Sequence, residues 1–160
     1  MATIDVVEFD IGGEHYAFDI HLAREIVEMM PITPIPGAPP YIAGIINLRG
    51  EITNIIRINE ILRLKEGKDV EEQKIIVLVS NENDGSGVGI IVDEVHSVNA
   101  VAEEDIEQIG ENVSSDINGF IKGIIKVRDA EDREKEGLVI WLDMEKVLGD
   151  LFTKNQGQVT

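Results

Sequence analysis

Val7-Glu8-Phe9-Asp10-Ile11 places an apolar residue at every second position, and Tyr16-Ala17-Phe18-Asp19-Ile20 does so again after Gly12-Gly13. A period of two belongs to half-buried strands, so two such runs around a glycine pair predict a hairpin. The mixed pattern from Leu22 to Met30 predicts a helical turn around His21 to Arg24 and a strand from Glu25 to Met30. All five prolines fall between residues 31 and 40. Proline fixes φ and has no N–H to donate, so this stretch is expected to be an extended connection along the edge of a barrel rather than a proline-ligand motif, since no PxxP repeat is sustained. Ile42 to Leu48 and Ile52 to Ile58 flank Arg49-Gly50-Glu51 and predict a second hairpin. A helical turn over Asn59 to Leu64, capped by Asn59, and a charged loop over Lys65 to Gln73 should follow. Lys74 to Ser80, Val88 to Asp93 and the run marked by Val95, Val98 and Val101 predict three further strands, with a turn over Asn81 to Gly87. Glu103 to Ile109 reads as weakly helical. Phe120 to Val127 and Leu138 to Leu142 read as paired strands across the charged excursion Arg128 to Gly137, Asp143 to Leu148 as a short helix, and the end after Phe152 as a frayed tail. About nine or ten short strands without βαβ alternation predict an all-β fold, barrel or sandwich.

Composition agrees. Of 160 residues, 25 are Ile and 16 are Val, β-branched side chains that favour pleated surfaces over helices. Hydrophobic residues make up 43% and charged residues 28%, the usage of a folded globular chain. The 31 acidic residues against 14 Lys plus Arg give a formal charge of −17, which opposes binding to nucleic-acid phosphates or an anionic membrane leaflet. Aromatics at 4% supply no stacking platform for single strands. Without cysteine, disulfides, thiolate zinc sites and thiol redox chemistry are excluded. The start carries no secretory signal and no apolar stretch approaches a membrane span, so a cytoplasmic protein with no direct membrane insertion is expected.

Catalytic chemistry finds little footing. His15, His21 and His96 are far apart in sequence, sit in no base or ligand motif and have polar neighbours, so they read as surface residues, and no metal site is expected. Asn81-Glu82-Asn83-Asp84-Gly85 resembles a calcium loop, but with Gly85 at position six the twelfth position is Ile91, where a bidentate Glu is needed. Gly85-Ser-Gly87-Val-Gly89 is followed by a strand rather than the helix that a phosphate-cradling loop must open. Glu71-Glu72 and Glu103-Glu104-Asp105 are acid runs of the kind that solvate loops. No catalytic residue and no cofactor are expected.

The stretch Ile32-Thr-Pro-Ile-Pro-Gly-Ala-Pro-Pro-Tyr-Ile-Ala-Gly-Ile-Ile-Asn-Leu-Arg-Gly50 resembles the signature of the CheW family, adaptors that couple chemoreceptors to the histidine kinase CheA. Phe9 to Ile20 before it, and Val88 to Val95, Gly123-Ile-Ile-Lys and Leu138 to Asp143 after it, agree in order. The likeness covers about residues 4 to 150. It implies two SH3-like five-stranded β-barrels packed on a shared hydrophobic core, with short helices, forming a single domain of intertwined subdomains over 1–160 with a frayed tail at 153–160. It also implies a non-enzymatic scaffold whose partners are the regulatory domain of CheA and the cytoplasmic tip of a chemoreceptor.

The resemblance points to Val7, Ile20 and Ala23 for the kinase contact, and to Gly44, Ile75 and Val98, toward a groove between the barrels, for the receptor contact. Arg49 aligns with an arginine important for adaptor function and Glu25 with a glutamate that pairs with it, which implies an ion pair holding the binding surface in register. Asn54 and Arg57 stand where the family usually has Pro and then Asp or Asn, and Arg57 brings the opposite charge. An adaptor of the same kind in a non-motility array, or a small-ligand-binding β-barrel enzyme, are the alternative readings.

Overall fold

Period-two burial runs through the computed structural model, which describes residues 3–62, 72–79, 87–107, 120–127 and 137–148. The described residues contain eleven strands: β1 (Thr3–Ile11), β2 (Glu14–Asp19), β3 (Ala23–Glu28), β4 (Ile42–Leu48), β5 (Glu51–Ile56), β6 (Lys74–Leu78), β7 (Gly87–Val92), β8 (Glu94–Ala102), β9 (Ile106–Glu107), β10 (Ile121–Val127) and β11 (Gly137–Leu142). Among the described residues, helix is confined to α1 (Ile58–Leu62), α2 over residues 144–148, and 3-10 turns, of which two span Ile20–Leu22 and Glu103–Asp105.

The strands form two sheets, ordered β8-β1-β2-β11-β10-β9 and β3-β6-β7-β5-β4. Each curls on itself, and short connections show why. In the first, edge strands β8 and β9 are joined by only the three residues Glu103–Asp105, so opposite edges must approach each other. In the second, the chain leaving edge strand β3 returns at Thr33 to bridge Ile45 of the other edge, β4, with reciprocal backbone bonds of 2.9 Å. Closure of this kind removes exposed edges. The first hairpin, β1–β2, sits in the same sheet as the last strands, so the ends of the chain build one barrel and its middle builds the other.

Alternation sorts side chains into three cores. Ile55, Ile75, Val77 and Ile91 fill the barrel of the five-stranded sheet, and Val6, Ala17, Ile125 and Val139 fill that of the six-stranded one. Their neighbours Phe9, Phe18, Ile56, Ile76, Ile90 and Val92 meet in the largest core, between the sheets. β7 is buried at all six positions because one face looks into its own barrel and the other into the shared core. The Phe9 ring packs edge-on to Phe18 at 5.7 Å and stacked on Tyr16 at 6.0 Å. Burial, with a smaller contribution from the charge of Glu14, raises the Tyr16 hydroxyl above the usual tyrosine pKa.

Local differences from the sequence reading have simple causes. The six-stranded sheet exceeds five because the two-residue β9 extends its edge. α1 begins one residue early because fully buried Ile58 anchors it in the shared core, so Asn59 lies inside the helix and does not cap it. The acidic stretch after Ala102 forms a single 3-10 turn and then joins the sheet. α2 is capped by Asp143, whose Oδ1 accepts from the Lys146 N–H at 3.2 Å. Of the loops expected over 65–73, 81–87 and 128–137, residues 65–71, 81–86 and 128–136 lie outside the described residues, as does the expected frayed tail.

Candidate functional site

A groove of about 320 Å³ runs between the two sheets along their edge strands β3 and β8. Val98 is 56% exposed and Ile26 47% exposed, and with Val95 they give the groove an apolar surface. β3 alternates so that Arg24, Ile26 and Glu28 share the exposed face. An isoleucine between two charged residues on a solvent face is the signal by which sequence reasoning could have found Ile26. At the groove's end Lys74 Nζ donates to both Glu28 oxygens at 2.7 Å, an ion pair between directly opposed cross-strand residues.

Val7 and Ile75 need correction as contact residues. Val7 pairs with Val98 and underlies the groove, but it is 1% exposed and belongs to the shared core. Ile75 has no exposed surface and points into the five-stranded barrel, because neighbouring Ile76 takes the parity that faces the shared core. Gly44 is likewise committed to structure. Its φ is 147°, and a Cβ there would lie 2.2 Å from Thr33 O and 2.7 Å from Ile32 Cγ2, so the close crossing that shuts the barrel requires glycine. The structure therefore does not bring Gly44, Ile75 and Val98 together on one surface.

Ile20 and Ala23 lie at one end of the shared core, partly buried against it together with Leu22. Asp19 fixes the turn that carries Ile20: its carboxylate accepts from Trp141 Nε1 at 2.7 Å and Lys122 Nζ at 3.3 Å, and Lys122 lies 5.0 Å from the Trp141 ring centre. Val79 is exposed beside this end, its N–H bonded to Leu22 O at 2.8 Å.

The tip of the β4–β5 hairpin forms a charged clamp on β3. Arg49 Nη2 donates to both oxygens of Glu25 at 3.0 Å, and Arg24 Nη1 donates to Glu51 at 3.3 Å, so two pairs of reversed polarity link the same elements. Arg49 adopts φ 54° ahead of Gly50 at φ 87°, the left-handed pair that a two-residue hairpin turn demands. Asn47 Oδ1 supports the turn by accepting from the Gly50 N–H at 2.9 Å. A left-handed arginine is uncommon and costs energy that glycine would not. Arg57, at the end of β5, lines a hollow of about 520 Å³ with Met29, Met30 and Pro34 under the proline-rich segment.

Two histidines that looked isolated in the sequence meet at one carboxylate. His15 Nδ1 lies 2.5 Å from Asp10 Oδ1 and His96 Nε2 lies 2.6 Å from Asp10 Oδ2. Asp10 and His15 are directly opposed across β1–β2, whereas His96 arrives from β8, 86 residues away from Asp10. That long-range pairing left no local motif to read. Among the described residues, no helix is long and apolar enough to cross a membrane.

The model of the CheW-like domain family matches residues 5–152. The chain is 35% identical over 121 residues to the chemotaxis protein CheW of Bacillus subtilis, covering 76% of each protein. To the chemotaxis protein CheW of Thermotoga maritima it is 29% identical over 154 residues, 96% of this chain and 93% of the other. The crystal structure of the scaffolding protein TtCheW from Thermoanaerobacter tengcongensis is similar with a TM-score of 0.71 and 30% identity, covering 89% of this chain and 90% of that one. With curled sheets, shared core and sequence likeness in accord over nearly its whole length, the chain belongs to the CheW-like domain family.

Proposed function

We propose that the chain is a non-enzymatic chemotaxis adaptor of the cytoplasm that couples chemoreceptor tips to the histidine kinase CheA and so regulates its autophosphorylation. The observation that carries the reading is the apolar groove between two edge strands, where Ile26 and Val98 are both solvent-exposed and stand together with Val95. A receptor tip built of helices fits such a groove by laying apolar side chains into it. The second face is the end of the shared core around Ile20 and Ala23, to which the CheA regulatory domain is assigned; buried Val7 belongs to the core that both faces share. Because one hydrophobic core underlies both faces, the two barrels act as a single domain, and partners held by it keep a defined relative geometry. The Glu25–Arg49 pair belongs to this scheme as the clamp that holds β3, and with it Ile26, in register.

The test is a reconstituted kinase assay with receptor fragments and CheA, paired with direct binding to each partner. Val98→Glu should abolish receptor coupling and leave CheA binding intact, while Ile20→Asp should do the reverse. If both variants fold and retain both interactions, the assignment of the faces is wrong. Absence of binding of the native protein to either partner would overturn the adaptor reading itself.

A further inference from the structure

We propose that Asp10, His15 and His96 form a binding site for a divalent transition-metal ion of the zinc class. One carboxylate and two imidazoles, each offering a ligand atom, converge so that these atoms all lie within 4.8 Å of one another. Imidazole nitrogen with carboxylate oxygen is a donor set suited to Zn2+ and its late first-row neighbours and poorly suited to Mg2+ or Ca2+.

The geometry needs little adjustment. Tetrahedral zinc with ligand bonds of about 2.0–2.1 Å sets its donors about 3.3 Å apart. The nitrogens now stand 2.5 and 2.6 Å from the Asp10 oxygens, and the two rings are 5.7 Å apart, tilted at 58°. Inserting the ion therefore requires the side chains to open by roughly an ångström, within rotamer flexibility for half-exposed groups. A ring nitrogen ligates a metal only without its hydrogen, so each imidazole would hold the ion with its hydrogen on the other ring nitrogen. Three protein ligands leave the fourth position to water.

The backbone beneath the cluster is fixed independently of any ion. Asp10 O accepts from the Asp93 N–H at 2.8 Å. The Asp93 carboxylate in turn accepts from the Gly12 N–H at 2.7 Å and from Gln73 Nε2 at 3.0 Å. Two of the ligands thus stand at facing positions of a braced hairpin, the kind of rigid support that metal sites need. Binding there would tie β1, β2 and β8 together two residues before Val98, at the rim of the groove that His96 also lines.

The experiment is calorimetric and thermal titration of the full chain, free of any histidine tag, with Zn2+ alone and with Mg2+ as comparison. The expected result is one Zn2+ per chain and a rise in melting temperature of roughly 5–10 °C when free Zn2+ exceeds its dissociation constant about a hundredfold. Mg2+ should give no rise. His15→Asn and His96→Gln should each weaken Zn2+ binding at least tenfold, with Asp10→Asn as a third variant should either fold poorly. His21→Ala, which removes the remaining histidine, should leave the titration unchanged. Co2+ in place of zinc should give a visible absorption band that the His15 and His96 variants lose. Absence of saturable Zn2+ binding, or binding that survives in the two histidine variants, overturns the proposal, as does its loss in His21→Ala.

Discussion

Arg49 occupies a position where the backbone prefers another residue, and substituting it separates stability from function. In Arg49→Asn the chain loses the bond to Glu25 but keeps the turn, because asparagine tolerates left-handed φ better than other non-glycine residues. The arginine side chain is 68% exposed, so solvent screening limits the pair to ~0–1 kcal/mol. An L-residue in the left-handed region costs roughly 1–2 kcal/mol, part of which asparagine recovers. These opposed effects are comparable, so unfolding stability should change by less than about 1 kcal/mol, or less than about 4 °C in melting temperature. Urea unfolding followed by the fluorescence of Trp141, the single tryptophan, provides the assay. Glu25→Gln and the double variant complete a cycle that isolates the pair's coupling, expected below about 1 kcal/mol. Partner binding, by contrast, should fall about tenfold or more if the clamp sets the register of the docking surface. A stability loss above about 2 kcal/mol would refute this reasoning by making Arg49 a structural residue, and unchanged coupling to receptor and kinase would refute its role at the surface.

Gly44→Ala should destabilise the chain severely, by about 2–4 kcal/mol or to the point of misfolding, since its Cβ would strike the Thr33 backbone; urea midpoints will show it. Ile75→Ala should cost about 2–5 kcal/mol through a cavity in the five-stranded barrel, whereas Val98→Ser, on an exposed side chain, should alter stability by no more than about 0.5 kcal/mol while weakening receptor binding. Tyr16 is neutral in the fold and its pKa is raised, so its contribution is complete below the unfolded value near 10 and is lost as pH rises through the folded one; Tyr16→Phe should flatten the fall in stability above about pH 10 in alkaline melts. High salt should slow association with partners that present basic patches, read in stopped-flow on-rates, because the charge of −17 acts mainly through long-range steering.

The strands and turns were largely legible because their causes are local. Alternation marks β1 and β2, the apolar runs of β6 and β7 mark strands buried on both faces, and the residues of the two-residue turns appear in sequence at Gly12-Gly13 and Arg49-Gly50. An apolar run nevertheless conceals which face each residue takes. Ile75 and Ile76 look alike in the sequence, yet one fills a barrel and the other the core between sheets, which is why Ile75 was a plausible contact residue until its parity was known. Ile26 carried the opposite message, an apolar side chain on the charged parity of β3, and there the alternation alone distinguishes exposed surface from core. The histidine cluster was out of reach of local pattern for a further reason. β1 meets β8 with a register shift between Val7 and Phe9, and the segment beyond the shift sets Glu94 opposite Asp10 and leaves His96 on the neighbouring diagonal. A site whose geometry depends on an irregularity in a long-range ladder has no spacing rule in one dimension; it exists only once the sheet has closed around it.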